Sequence, residues 1–580
     1  MGSAGADAIM RPKRRPVIES ARPAMAARLA TYLVVVIVAG TLIAGLIVGA
    51  QRADESGPVD LIIHNARVYA ADDLGSIADA VAIRGNKILK IGGEREVMRI
   101  RRPQTNVIDA KGAAVLPGFD DAHVSLIAAG LAGEGVDLFG AATLDDLQER
   151  IATWADARPD SAWITGSGWS YDAFGDLPVR GQLDAAVSDR PVQLLSQDGQ
   201  ALWLNTKALA AAHITKRTPD PKLGVIVRDR RGEPTGLLKG AAMTLAEKAL
   251  PRPTREDRAK ALLVAIRVAQ QHGITSVQDL GAAPGDLDLY DAARAAGTLG
   301  LRVYAAVPAS RTTPEDLDAI AKRYPDDPLL KTGLATITLD GSVESQTAAM
   351  LSAYSPKGGA EGDLRMPAAE FSRLVAMLEA RGWQIAVDAA GDRAVRLTLD
   401  AYGAIARNAK TVNAPRHRIE NVTAVDAEDM PRFGALGVIA TILPLHATGG
   451  GALNWSRNLG PERAPFGWPA RSLSAAGAHL AFGTDWPRLP LEPLAGLRAA
   501  VARPEIQAAE QLTLKSAINA WTSGAAWASF DEHRKGTIKP DMLADIVILS
   551  TDIFGAPAKL AGAEVAMTIF DGKIVYRRAS

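Results

Sequence analysis

Six polar side chains close apolar runs along this chain. They are His123 in VLPGFDDAHVS, Thr336 and Asp340 in ATITLD, Asp388 in QIAVDA, Asn421 in RHRIEN and Asp485 in HLAFGTD. Imidazole and carboxylate groups ligate divalent metals and move protons. One such group at the end of one run is more often a satisfied structural residue. Gathered in one pocket, they would make a reaction centre. Only eight histidines occur in 580 residues, so an imidazole-rich centre would need a large share of them. There is no cysteine, which excludes disulfides, thiolate zinc sites, cysteine nucleophiles and a lipidated N-terminal Cys.

Other chemistries find little footing. No G-x-G-x-x-G or G-x-x-x-x-G-K-[ST] follows a strand, so nucleotide binding has no support. Thr165-Gly166-Ser167-Gly168-Trp169 comes nearest to a nucleophile elbow and lacks its framing pattern. Ser125 lies two residues from His123, and that spacing alone makes no Ser-His-acid triad. Basic and acidic residues balance at 65 each, so nucleic acid is not an expected partner.

The elements that would position these side chains alternate. Between about 117 and 530, short apolar runs such as SVQDL, RVYAAV, ATITLD, QIAVDA, GVIATIL and HLAFGTD are separated by amphipathic stretches. This pattern predicts parallel strands with crossover helices, and its length suits a (β/α)8 TIM barrel with an insertion around 160–250. A doubly wound open sheet is the alternative. In a barrel, the polar ends of the runs converge at one face. The two ends of the chain read differently. Leu61–Tyr69 and Ala80–Ile91, which turns at Gly85-Asn86, are strand-rich. So are Ala544–Leu549 and Val565–Tyr576, which turns at Asp571-Gly572. They predict a small composite β-sandwich from 55–116 and 531–580, with the barrel over 117–530.

The N-terminus carries a separate signal. Residues 29–50, LATYLVVVIVAGTLIAGLIVGA, contain no charge. At about 1.5 Å per residue they are long enough to cross a bilayer core of about 30 Å as one transmembrane helix. Six basic residues precede them within a tail, 1–28, that reads as disordered and cytoplasmic. The expected topology is a single-pass inner-membrane protein with its main domain in the periplasm or outside the cell. A cleaved signal peptide is the competing reading, although its apolar region normally runs about 7–15 residues. Thr41, Gly45 and Gly49 fall four apart on one helix face, a spacing that permits packing against an integral membrane partner.

The runs also occur in a familiar order. VLPGFDDAHVS at 115–125, SQDGQALWLN at 196–205, GEPTGLL at 232–238, GITSVQD at 273–279, LDGSVESQTA at 339–348, AGDRAV at 390–395, RHRIEN at 416–421, FGTDWP at 482–487 and RKGTIKPDMLADIVILS at 534–550 resemble the amidohydrolase superfamily. The similarity is to the branch that includes N-substituted formamide deformylases, and it covers roughly 55–580. It implies a distorted (β/α)8 barrel with a β-sandwich built from both ends. It also implies one or two divalent metals, held by an H-x-H pair, often a carboxylated Lys, two further His and one Asp. Bound metal would lower the pKa of water toward about 7.

Placed on that pattern, His123 stands at the first His and Asp485 at the proton-handling Asp. Ser125 takes the second His position, Thr336 the Lys position, and Asp388 and Asn421 the two later His positions. Gln200 and Gln346 stand where the branch tends to have a His and an Arg near the substrate, and Leu443 where it often has Gln. His446 fits the pattern. Zinc sites take three or four protein ligands, and Ser, Thr and Asn are weak ones. Two readings follow. His123, Asp388 and Asp485 would hold one ion, with manganese, iron(II) or magnesium suited better than zinc to an oxygen-rich set. Alternatively, they would form a hydrogen-bonded Asp–His–Asp cluster without metal, in a binding or scaffolding relative whose hydrolase activity is lost or much reduced.

Overall fold

A computed structural model describes residues 57–579, apart from 175, 284, 356–358, 407–414, 504 and 556. The expected tail 1–28, the apolar segment 29–50 and its Thr41, Gly45 and Gly49 lie outside the described residues. Among the described residues no helix is long and apolar enough to cross a membrane.

Eight parallel strands form the central sheet: β1 Phe119–Val124, β2 Ile274–Asp279, β3 Arg302–Pro308, β4 Leu330–Thr338, β5 Gln384–Asp388, β6 Arg418–Glu420, β7 Ile439–Ile442 and β8 His479–Phe482. They pair in chain order from β1 to β8. Helices such as Arg255–Gln271, Asp286–Ala295, Ala368–Glu379 and Asp392–Ala406 return the chain between strands. The helix Arg255–Gln271 starts at a capping box in which Thr254 and Asp257 satisfy each other's backbone N–H groups. Its Ala261, Leu262, Ala265, Ile266 and Ala269 make the buried stripe, at helical spacing. The alternating sequence therefore forms an α/β barrel rather than an open doubly wound sheet.

The β8–β1 seam is closed mostly by side chain and loop. The Asp121 carboxylate accepts the Thr484 N–H at 3.0 Å, the Thr484 hydroxyl at 2.6 Å and the His123 N–H at 3.1 Å. Beyond the strand ends, the Asp485 N–H donates to the His123 carbonyl at 2.9 Å and the Ser125 N–H to the Trp486 carbonyl at 2.8 Å. Gly483 makes this approach possible: a Cβ there would fall 2.6 Å from His123 Cβ.

Two further sheets combine the ends of the described chain. One has four strands, in the order Lys87–Gly92, Ala80–Arg84, Leu61–His64 and Asn106–Asp109. The other has six, in the order Lys573–Arg577, Val565–Phe570, Ile546–Leu549, Ala114–Pro117, Arg67–Tyr69 and Ile77–Ala78. Their facing side chains, among them Ile63, Val81, Ile83, Val115, Ile546, Ile548 and Ile569, share one apolar core. Arg302, at the start of β3, binds Asp545 through two nitrogens at 2.6 and 2.9 Å and Asp571 at 2.9 Å, fastening this layer to the barrel floor. Between β1 and β2, six strands spanning residues 136–240 make another sheet, with Trp169 and Trp203 buried in its core.

Candidate active site

The polar residues that close the barrel strands stand at the C-terminal rim, where this architecture places its chemistry. His123 projects from β1. Its Nδ1 lies 2.9 Å from Glu420 Oε2, and its Nε2 lies 3.7 Å from Asp485 Oδ1. Glu420 is held in turn by Arg418 Nε at 2.6 Å and by the Thr441 hydroxyl at 3.1 Å. Arg418 is fully buried and also donates to Gln278 Oε1 and to the Ala122 carbonyl. Arg418 and Glu420 are two apart on β6, so both point into the barrel.

Asp485 occupies a left-handed position (φ +63°) just past β8. Its Oδ2 lies 3.1 Å from His446 Nε2, and its Oδ1 accepts Arg488 Nη1 at 3.3 Å. The result is a line of groups from His446 through Asp485 and His123 to Glu420 and Arg418. Burial alone would raise the Asp485 pKa, but the charge of Arg488, the His446 hydrogen bond and the nearby imidazoles hold it well below the usual carboxylate range. Burial alone would lower the His123 pKa, but the Glu420 hydrogen bond and the charges of Asp485, Glu420 and Asp388 hold it above its ordinary value. Burial opposes ionisation of Glu420 too, and Arg418 and His123 outweigh it. A carboxylate can only accept, so His123 Nδ1 carries a proton toward Glu420.

The other positions singled out in the sequence are engaged elsewhere or stand apart. Ser125 is the N-cap residue of helix Leu126–Ala132 without capping it by side chain, and its hydroxyl lies where a Gly281 Cβ would project. The Thr336 hydroxyl points to the Val307 carbonyl of β3 at 3.4 Å. Asn421 is left-handed (φ +55°), and its Oδ1 accepts the Thr423 hydroxyl at 3.2 Å. Asp388 ends β5 with its carboxyl raised in pKa, chiefly by burial. Asp340 accepts three backbone N–H groups, from Ala349, Ala390 and Gly391, and so organises the loops after β4 and β5. Gln200 accepts Arg365 Nη2 at 2.9 Å, and Gln346 donates to Asn458 at 2.9 Å. Leu443 is buried.

A small pocket of about 20 Å³ opens beside this line, walled by Trp169, Tyr171, Asp198, Glu344, His446 and Asn454. His446 is shared between the cavity and the line; Gln200 and Gln346 do not face it. Asp198 accepts the hydroxyls of Ser196 at 2.5 Å, Ser342 at 2.9 Å and Ser345, and the Gln200 N–H at 3.1 Å. Burial pushes the Glu344 carboxyl up in pKa. Sequence reasoning missed Glu420, Arg488, Asp198 and Glu344. The signal for Glu420 was present, since Arg418 and Glu420 are alternate charges within an apolar strand. Arg488 and Glu344 lie in loops whose spacing says nothing about their aim.

A family model described as "Amidohydrolase family" matches residues 106–576. This chain belongs to the amidohydrolase family. Protein LONG AFTER FAR-RED 3 of Arabidopsis thaliana is 32% identical over 536 residues, covering 89% of this chain and 91% of that protein. N-substituted formamide deformylase of Arthrobacter pascens is 29% identical over 545 residues, covering 90% of this chain and 98% of that protein. An uncharacterised metal-dependent hydrolase from Pyrococcus furiosus has the same fold, with a TM-score of 0.66 at 24% identity over 84% of this chain and 98% of that one.

Amidohydrolases are usually metal-dependent, and an ion at this rim would need donors that converge on it. The donors present do not fit. Among the described residues no group of three or more His, Asp or Glu side chains is arranged to hold a metal. Both ring nitrogens of His123 face carboxylates, and Asp485 already has a guanidinium and an imidazole on its two oxygens. Such an arrangement satisfies charges within the protein, so an ion would have to displace these partners.

Proposed function

We propose that this amidohydrolase-family protein is a membrane-anchored binding or scaffolding relative with little or no hydrolase activity, on the deformylase-like branch. The observation that carries this reading is the pairing of Asp485 with Arg488 and His446. The residue at the family's proton-handling position is thereby a stabilised, weakly basic carboxylate. Neutral Ser125, Thr336 and Asn421 at three further positions support the same reading. The small pocket beside His446, Asp198 and Glu344 would receive a polar group of the ligand. The uncharged stretch 29–50 supports an anchor with the barrel on the periplasmic side, and Thr41, Gly45 and Gly49 would face an integral membrane partner. The test is elemental analysis of the full chain, extracted in mild detergent without chelator. No stoichiometric transition metal is expected; one equivalent or more per chain overturns the reading.

A second reading is favoured by the two imidazoles beside Asp485, with His446 Nε2 at 3.1 Å and His123 Nε2 at 3.7 Å from its carboxylate. In it the protein hydrolyses non-peptide C–N bonds, with Asp485 moving the proton. N-substituted formamides are the substrates to offer, since one relative is named for them. Amine release that disappears in Asp485→Asn would establish this reading and displace the first.

A further inference from the structure

The rim gathers more negative charge than its imidazoles balance. Asp485, Asp388 and Asp198 arrive from the loop after β8, the end of β5 and the turn of the 136–240 sheet. In a metalloenzyme a divalent ion would neutralise such a set. Here a cationic side chain lies against one of these carboxylates. The Arg488 guanidinium donates to Asp485 Oδ1 at 3.3 Å, and Asp388 and Asp198 are the next carboxylates whose charge acts on it. Its stem crosses the Asp198-Gly199 turn: a Cβ on Gly199 would fall 2.5 Å from Arg488 Nε and 2.9 Å from Cδ. Gly199 is left-handed (φ +67°), and its N–H donates to the Ser196 carbonyl at 3.0 Å, so the turn that presents Asp198 also makes room for the arginine. At the other end, the Arg488 N–H donates to the Asp485 carbonyl at 2.7 Å, which fixes the loop that aims it.

We propose that Arg488 is the resident cation of this barrel: its guanidinium neutralises the carboxylates at the rim and keeps divalent metal out. A planar, permanently charged fork suits this role, because it spreads one charge over several oxygens and never deprotonates. Removing it would leave carboxylates facing one another in a partly buried pocket, a situation relieved by proton uptake, by an ion or by unfolding. The proposal rests on the reading that the native centre is metal-free.

The test uses the full-length protein in detergent, dialysed against chelator and then titrated with MnCl2 in a calorimeter, with melting temperatures measured alongside. Arg488→Met keeps the stem and removes the charge; Arg488→Lys keeps the charge. Wild type and Arg488→Lys are expected to show no stoichiometric Mn2+ binding. Arg488→Met is expected to bind Mn2+ at least tenfold more tightly than wild type, or to melt well below Arg488→Lys unless Mn2+ is added. Failure of Arg488→Met to fold while Arg488→Lys folds carries the same meaning. Equal melting and equal Mn2+ binding in all three proteins overturn the proposal and leave the metal-free reading standing. So does Arg488→Lys behaving like Arg488→Met. Stoichiometric Mn2+ binding by wild type overturns both.

Discussion

His123 Nδ1 lies 2.9 Å from Glu420 Oε2, and this contact joins the first barrel strand to the sixth across the interior. It orients the imidazole so that Nε2 faces Asp485. Behind it stands Arg418, fully buried and bonded to the other Glu420 oxygen. Glu420→Gln would leave a buried guanidinium without its charge partner. Breaking such a pair by removing one member costs about 3–5 kcal/mol. Urea denaturation of the variant against wild type should show a loss of that size. A loss below about 1 kcal/mol, the range of exposed pairs, would mean that the contact does not organise the interior.

Gly483 decides how near Asp485 can come to His123. A methyl group there would meet His123 Cβ at 2.6 Å and its backbone nitrogen at 2.7 Å, so the β8–β1 seam must open. Gly483→Ala is expected to destabilise by about 1–3 kcal/mol, as overpacked positions do. It should also separate the His123 and Asp485 side chains in a crystal structure. An unchanged melting temperature would show that the seam tolerates expansion.

A buried charge cluster on the barrel floor sets the response to acid. Asp531 lies 2.9 Å from Lys331 Nζ and 3.6 Å from Lys535 Nζ, and Lys535 reaches Asp120 at 2.8 Å. Burial would raise the Asp531 pKa, but Lys535, Lys331 and Arg534 hold it below its ordinary value. A carboxyl lowered on folding contributes stability above its unfolded pKa of about 3.9, lost as pH falls through the folded value. Asp531→Asn should therefore melt below wild type near neutral pH. The gap should close as pH falls below about 4. Melts collected from pH 3 to 7 check this, and a constant gap would contradict it.

Chelation tests the metal-free reading of the rim. With no set of donors arranged for a metal among the described residues, overnight dialysis against EDTA should leave the melting temperature unchanged. A marked fall, restored by adding back one divalent ion, would show that the rim rearranges to bind it.

The barrel and its family were legible in the sequence because they rest on local regularities. Strand–helix alternation sets parallel strands, and the frames PGF, LDGS, GDRAV and FGTD stand in family order along the chain. His123, Asp388 and Asp485 were found as strand ends, since a barrel sends every strand end to one rim. The neutral residues Ser125, Thr336 and Asn421 were visible as residue types. What each group at the rim touches was decided only by the tertiary structure. Glu420 on β6 meets His123 on β1, and Arg488 crosses from the last barrel loop to the Asp198-Gly199 turn nearly 290 residues earlier. No periodicity records such pairings. They arise because closing the barrel brings distant charges into a partly buried space, where each must find a partner or lose its charge.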